Sequence, residues 1–113
     1  MKSDLKYLQH ILESTHLIET FVLGLDQKQF SRNIEKQFAV IRGLEVIGEA
    51  VKNLSEETKI NHPEIVWREI AGTRDILIHS YFSVDLDLVW DIVQRDLPKL
   101  KEQIKIILKK EKN

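Results

Sequence analysis

The chain has 113 residues, 42% hydrophobic and 31% charged, with a net charge of −1. That balance fits one soluble domain over residues 1–113; it excludes global disorder and lacks the strongly basic footprint of a dedicated nucleic-acid binder. No cysteine occurs, which removes disulfides, thiolate nucleophiles and cysteine-type zinc sites, and the charged start without a long apolar run points to a cytoplasmic protein with neither signal peptide nor membrane span.

A first helix is predicted from a Ser3 or Asp4 cap through Leu5, Leu8, Ile11, Leu12, Ile18, Val22 and Leu25, stopping near Gly24 and Asp26. His10 and His16 on it lie at neither i+3 nor i+4 spacing and read as surface residues, not metal ligands. Residues 25–30 form a connector with room for a short helical turn. The second helix is predicted over Arg32–Leu54, with one apolar stripe of Val40, Leu44, Ile47, Val51 and Leu54. Ile34, Phe38 and Ile41 make a second stripe, the pattern of a helix central in its bundle. Arg42, Glu45, Glu49 and Lys52 recur at 3-4-3 spacing. They are either a self-paired surface ladder or, through Arg42 or Glu49, the border of a functional cleft and a support for Arg74. Gly48 in mid-helix costs about 1 kcal/mol against Ala. That cost makes sense where another backbone comes close, within the chain or across a dimer.

Ser55-Glu56-Glu57-Thr58 opens a short helical turn, and His62 before Pro63 reads as a loop residue. Ile65, Trp67 and Ile70 are expected as a buried plug beneath a third helix that begins near Gly72 or Thr73 and frays over residues 80–83. Ser83 or Asp85 caps a fourth helix with Leu86, Val89, Trp90 and Val93 facing inward. Asp96-Leu97-Pro98 then kinks or restarts it, with Asp96 as cap, and Leu100, Ile104, Ile107 and Leu108 complete the last helix. From Lys99 onward six lysines face two glutamates, +4 against −5 for the residues before. This tail is either a solvated helix end or an RNA-facing patch. With no alternating β pattern, the expected fold is all-α, a bundle of four or five helices.

The chemistry concentrates in Gly72-Thr73-Arg74-Asp75-Ile76-Leu77-Ile78-His79-Ser80-Tyr81-Phe82. On a helix Asp75 and His79 share one line and Arg74 and Tyr81 another, while Arg74 and His79 stand about 140° and roughly 7.5 Å apart. One copy offers a cation and an imidazole too divergent to grip one atom unless the Arg bends across; two copies about a two-fold axis close the gap. His moves protons near neutral pH, a carboxylate at i−4 holds its ring, and Arg matches a phosphate bidentately. This set suits phosphodiester cleavage by a ribose 2′-hydroxyl without a metal or other cofactor. A structural reading also stands: Arg74 paired with Asp75 or a Glu, and His79 a satisfied core residue.

The pattern Arg-x-x-x-x-His-x-Tyr, here Arg74, His79 and Tyr81, resembles the signature of the HepT-like branch of the HEPN superfamily. Arg42-Gly43-Leu44-Glu45-Val46-Ile47-Gly48-Glu49-Ala50 resembles that branch's second helix, and Asp87-Leu88-Val89-Trp90 and Asp96-Leu97-Pro98-Lys99-Leu100 its closing helices, so the likeness runs from about Phe38 to Leu108. The resemblance implies a HEPN-like bundle in a symmetric homodimer. It implies a metal-independent endoribonuclease with its site at the dimer interface, the toxin of a type VII-like toxin–antitoxin pair. Arg74 and His79 would be the catalytic residues, with Asp75 supporting. Tyr81 would accept AMP groups from a partner nucleotidyltransferase antitoxin. Asp75 stands where other HEPN branches carry Asn, which adds negative charge near the scissile phosphate. The competing readings are a non-catalytic helical module that partners a nucleotidyltransferase or binds a nucleotide through Arg74, and a stand-alone structural dimer.

Overall fold

The computed structural model describes residues 2–79 and 84–112, without the side chains of Lys2, Ile76, Ile78, His79 and Lys112. Among the described residues every regular element is helical: α1 (Lys2–Val22), α2 (Gln27–Ser31), α3 (Ile34–Lys52), α4 (Glu56–Asn61), α5 (Trp67–His79), α6 (Leu86–Asp91), a π-helical segment (Ile92–Asp96) and α7 (Leu97–Lys112). The last three form one unbroken run, so four long helical rods and two short helices make the all-α bundle that the periodicity predicts. No helix among the described residues is long and apolar enough to cross a membrane.

Local chemistry sets most boundaries. Gly24, at φ +80, takes the left-handed turn that ends α1. Asp26 accepts from the Gln29 backbone while the Gln29 side chain bonds back to the Asp26 N–H, a capping box that starts α2 in the expected connector. Asn33, Ser55 and Asp85 cap α3, α4 and α6 through their side chains. Three expectations need correction. Neither Ser3 nor Asp4 precedes α1; Asp4 lies inside its first turn, 2% exposed, and accepts from the Ser55 N–H (3.1 Å) and the hydroxyls of Ser55 (2.6 Å) and Thr58. Burial alone would raise its carboxyl, but those hydrogen bonds outweigh it and hold Asp4 below the usual carboxylate range. The third long helix begins at Trp67, so Trp67 and Ile70 belong to its first turn and not to a separate plug, while the buried Ile65 lies just before it. Pro98 does not restart the last rod, which runs helical from Leu86 to Lys112 through the π-helical segment, and Asp96 does not cap. The Leu97 N–H bonds to the Ile92 carbonyl, a wider turn that accommodates the proline ring.

The core joins Leu8, Ile11 and Ile18 of α1, Val40, Leu44, Ile47 and Val51 of α3, Leu77 of α5, and Val89, Val93, Leu100, Ile104 and Ile107 of the last rod. The first α3 stripe is buried as predicted. The second is not: Ile34 is 68% and Phe38 73% exposed, and Ile41 is half-buried. α3 is nevertheless central, packed on α1 along one side and α5 along another. Two glycines admit these neighbours. A Cβ at Gly43 would stand 2.7 Å from Ile18, and one at Gly48 would stand 2.1 Å from the Arg74 Cβ. The close approach inferred at Gly48 is thus made within the chain.

Candidate active site

Because Gly48 has no side chain, α5 sits against α3 at Arg74, and the Arg74 guanidinium emerges along the seam between the two helices. It is half-buried and doubly held: Nη2 lies 3.2 Å from Glu49 Oε2 on α3, and Nη1 donates to Asp75 Oδ1 at 3.2 Å. Asp75 also accepts from the Lys52 ammonium, one turn beyond Glu49 on α3. The Lys52 bond first, and then the Arg74 bond, hold the Asp75 carboxyl below its usual range despite its exposure to solvent. Two cations and two carboxylates leave this cluster neutral at rest.

The 3-4-3 charge series on α3 is therefore not a closed ladder. Arg42 pairs with Glu45 at 3.5 Å, whereas Glu49 and Lys52 reach across to α5. Glu49 does support Arg74, one of the two roles open from sequence. Arg42 stays exposed beside a cleft of about 220 Å³ that Tyr7, His10 and Glu49 also line. Lys52 is the participant that sequence reasoning missed. Its signal was the shared face: Gly48, Glu49 and Lys52 point to one side of α3, the side that the glycine opens to a neighbour. His79 is the last residue of α5, and helical register puts positions 75 and 79 on one line, as the spacing predicts. Tyr81 lies outside the described residues. His62 is a loop residue before Pro63, with Nδ1 3.5 Å from Glu64.

The family described as "Ribonuclease HepT-like" matches residues 11–107, nearly the whole bundle and all of this site. The chain belongs to the HepT-like family. Among its relatives, "Gamma-glutamylcyclotransferase and putative RNase MJ0434" of Methanocaldococcus jannaschii is 49% identical over all of this chain, which spans about half (52%) of that protein. "Putative RNase TTE0752" of Caldanaerobacter subterraneus subsp. tengcongensis is 42% identical over 99% of this chain and 100% of its own length. "Probable ribonuclease HepT" of Thermococcus cleftensis is 48% identical over 88% of this chain and 91% of its own. No solved structure matches the chain.

Proposed function

We propose that this HepT-like chain is a metal-independent endoribonuclease, the toxin of a type VII-like toxin–antitoxin pair, and that it works as a two-fold dimer. The observation that carries the reading is the Arg74 guanidinium, fixed at the α3–α5 seam by Glu49 and Asp75 on the helix that ends in His79. The ribonuclease names of its relatives support it. In the dimer the 2′-hydroxyl oxygen attacks the adjacent phosphorus while His79 of one copy takes its proton. The partner's His79 gives a proton to the departing 5′-oxygen, and Arg74 donates to the non-bridging oxygens as charge builds there. The P–O5′ bond breaks, leaving a 2′,3′-cyclic phosphate and a free 5′-hydroxyl. An arriving phosphate competes with two carboxylates for Arg74. Asp75 yields more readily, because Lys52 remains to balance it. Silencing follows when a nucleotidyltransferase partner places AMP on Tyr81, whose added phosphate competes with the substrate's for Arg74.

The test is RNA cleavage by unmodified protein in excess EDTA, with sedimentation to establish the dimer. Arg74→Ala and His79→Ala should each lose on the order of 10²-fold or more in rate with helicity unchanged. A folded His79→Ala protein that cleaves at the wild-type rate refutes the assignment. A wild type that cleaves nothing yet binds its nucleotidyltransferase would instead establish the non-catalytic module.

A further inference from the structure

Three glycines lie inside the long helices, and packing explains two of them. Gly43 admits Ile18 and Gly48 admits Arg74, but a Cβ built at Gly72 on α5 would meet nothing within 4 Å. A glycine at a helix-interior position costs about 1 kcal/mol against Ala, and here no neighbour in the chain requires it. Its other structural use is to let something outside the chain approach the backbone. Gly72 opens onto a groove of about 630 Å³ lined by Lys52, Glu56, Lys59, Trp67, Arg68, Ala71 and Asp75. Three cations line it against two carboxylates. Arg68 is exposed and makes no hydrogen bond or ion pair among the described residues. Lys59 has only a loose partner, Glu56 at 3.7 Å, whose own side chain is 83% exposed.

The groove leads to the site already described. Positions 68, 72, 75 and 79 follow i, i+4, i+7, i+11 spacing and share one face of α5, a track of roughly 16.5 Å along the axis. Arg68 stands at one end, Gly72 leaves the middle bare, and Asp75 marks the Arg74 cluster before position 79. Trp67 offers no stacking platform, because it is 6% exposed and its indole N–H donates to the His62 carbonyl at 3.0 Å. The groove is thus built for a backbone and not for bases.

We propose that the groove over Gly72 carries the sugar–phosphate backbone of single-stranded RNA toward Arg74 and His79, with Arg68 and Lys59 holding phosphates remote from the scissile one. This rests on the ribonuclease reading for the direction of the strand, but its test does not need cleavage. The probe is a single-stranded 2′-O-methyl oligonucleotide, which binds but lacks the attacking hydroxyl, titrated by fluorescence anisotropy over a range of salt. The double variant Lys59→Ala/Arg68→Ala should weaken binding by about tenfold per cation, the scale of one charge-assisted hydrogen bond. Its log–log salt slope should shrink by about 0.7 for each phosphate that is no longer neutralised. Gly72→Gln should melt at or above the wild-type temperature, Gln being the better helix former, yet bind the oligonucleotide about tenfold more weakly, because its side chain fills the groove. Lys109→Ala/Lys110→Ala, on the far end of α7, should leave the slope unchanged.

Wild-type affinity and slope in both groove variants overturns the proposal, as does a reduced slope in the α7 variant instead, or a wild type that does not bind the oligonucleotide. Binding that depends on Arg68 and Gly72 in a protein that cleaves no 2′-hydroxyl RNA keeps the groove and removes the ribonuclease reading.

Discussion

Replacing Gly48 with Ala should destabilise the fold and damage the site together. The added methyl would stand 2.1 Å from the Arg74 Cβ, 2.9 Å from its Cγ and 3.3 Å from its Cα. Ordinary carbon contacts are about 3.5–4.0 Å, so α3 and α5 must part by about 1.5 Å at this point. The nearest atoms belong to the base of Arg74, not to a flexible side-chain tip, so a rotamer change gives no relief. Overpacking of this kind costs about 3 kcal/mol, and Ala restores about 1 kcal/mol of helix propensity. The net loss is about 2 kcal/mol, which for a domain of this size lowers the melting temperature by about 8 °C. The same displacement separates Arg74 from Glu49 and Asp75 from Lys52, so RNA cleavage should fall by roughly 10²-fold even where the protein remains folded. Calorimetry with a cleavage assay on the same sample reads both. A Gly48→Ala protein that melts at or above the wild-type temperature refutes the close-approach argument, because propensity alone would then be acting.

Asp4→Ala, which removes the acceptor of the Ser55 N–H and of the Ser55 and Thr58 hydroxyls, should cost about 2–3 kcal/mol in denaturant unfolding. Because the folded state holds this carboxyl below its unfolded pKa, its contribution is complete above about pH 4 and drains away as pH falls through the folded value. Asp4→Asn should therefore flatten the acid limb of the stability curve; an unchanged limb would show that Asp4 does not titrate with folding. Tyr81→Phe should keep RNA cleavage but escape silencing by the nucleotidyltransferase, read by intact-mass spectrometry and by growth of cells carrying both proteins. Full silencing of Tyr81→Phe would move the switch to occlusion by the partner protein.

How much was legible depended on the range of each interaction. The stripe Val40, Leu44, Ile47, Val51 and Leu54 could be read because helical period and hydrophobicity act within one element, and all five are buried. The stripe of Ile34 and Phe38 has the same period, yet period states which side is apolar, not whether a neighbour covers it. Gly72 looked like the start of a helix by local propensity. Burial of Trp67 at the base of α5 outweighed that preference and moved the start five residues earlier. The α3 charges invited i, i+3 and i, i+4 pairing because a lone helix offers no other partner. Once α5 is packed beside it, Glu49 and Lys52 find better-placed countercharges. Asp4 was legible only as a cap, since its real partners lie more than fifty residues away. Of the site, Arg74 and the Asp75–His79 line followed from spacing, and Gly48 announced a close approach. The role proposed for His79 rests on imidazole chemistry together with family likeness, and that proposed for Tyr81 on family likeness.

The pairing of the first rod with the last has a consequence for the order of assembly. α1 packs on α3 and on α7, and Glu19 meets Lys101 at 2.9 Å across 82 residues of chain. During synthesis α1 and α3 emerge first and can pair through Gly43, but one flank of α1 stays bare until α7 has been made. The Arg74 cluster spans only α3 and α5, so its parts are all present before the core that steadies them is closed. Loop closure over so long a separation comes late and adds little cost per extra residue. A growing chain therefore carries the Arg74 cluster on an unfinished scaffold, and the cluster is steadied only after the final helix docks.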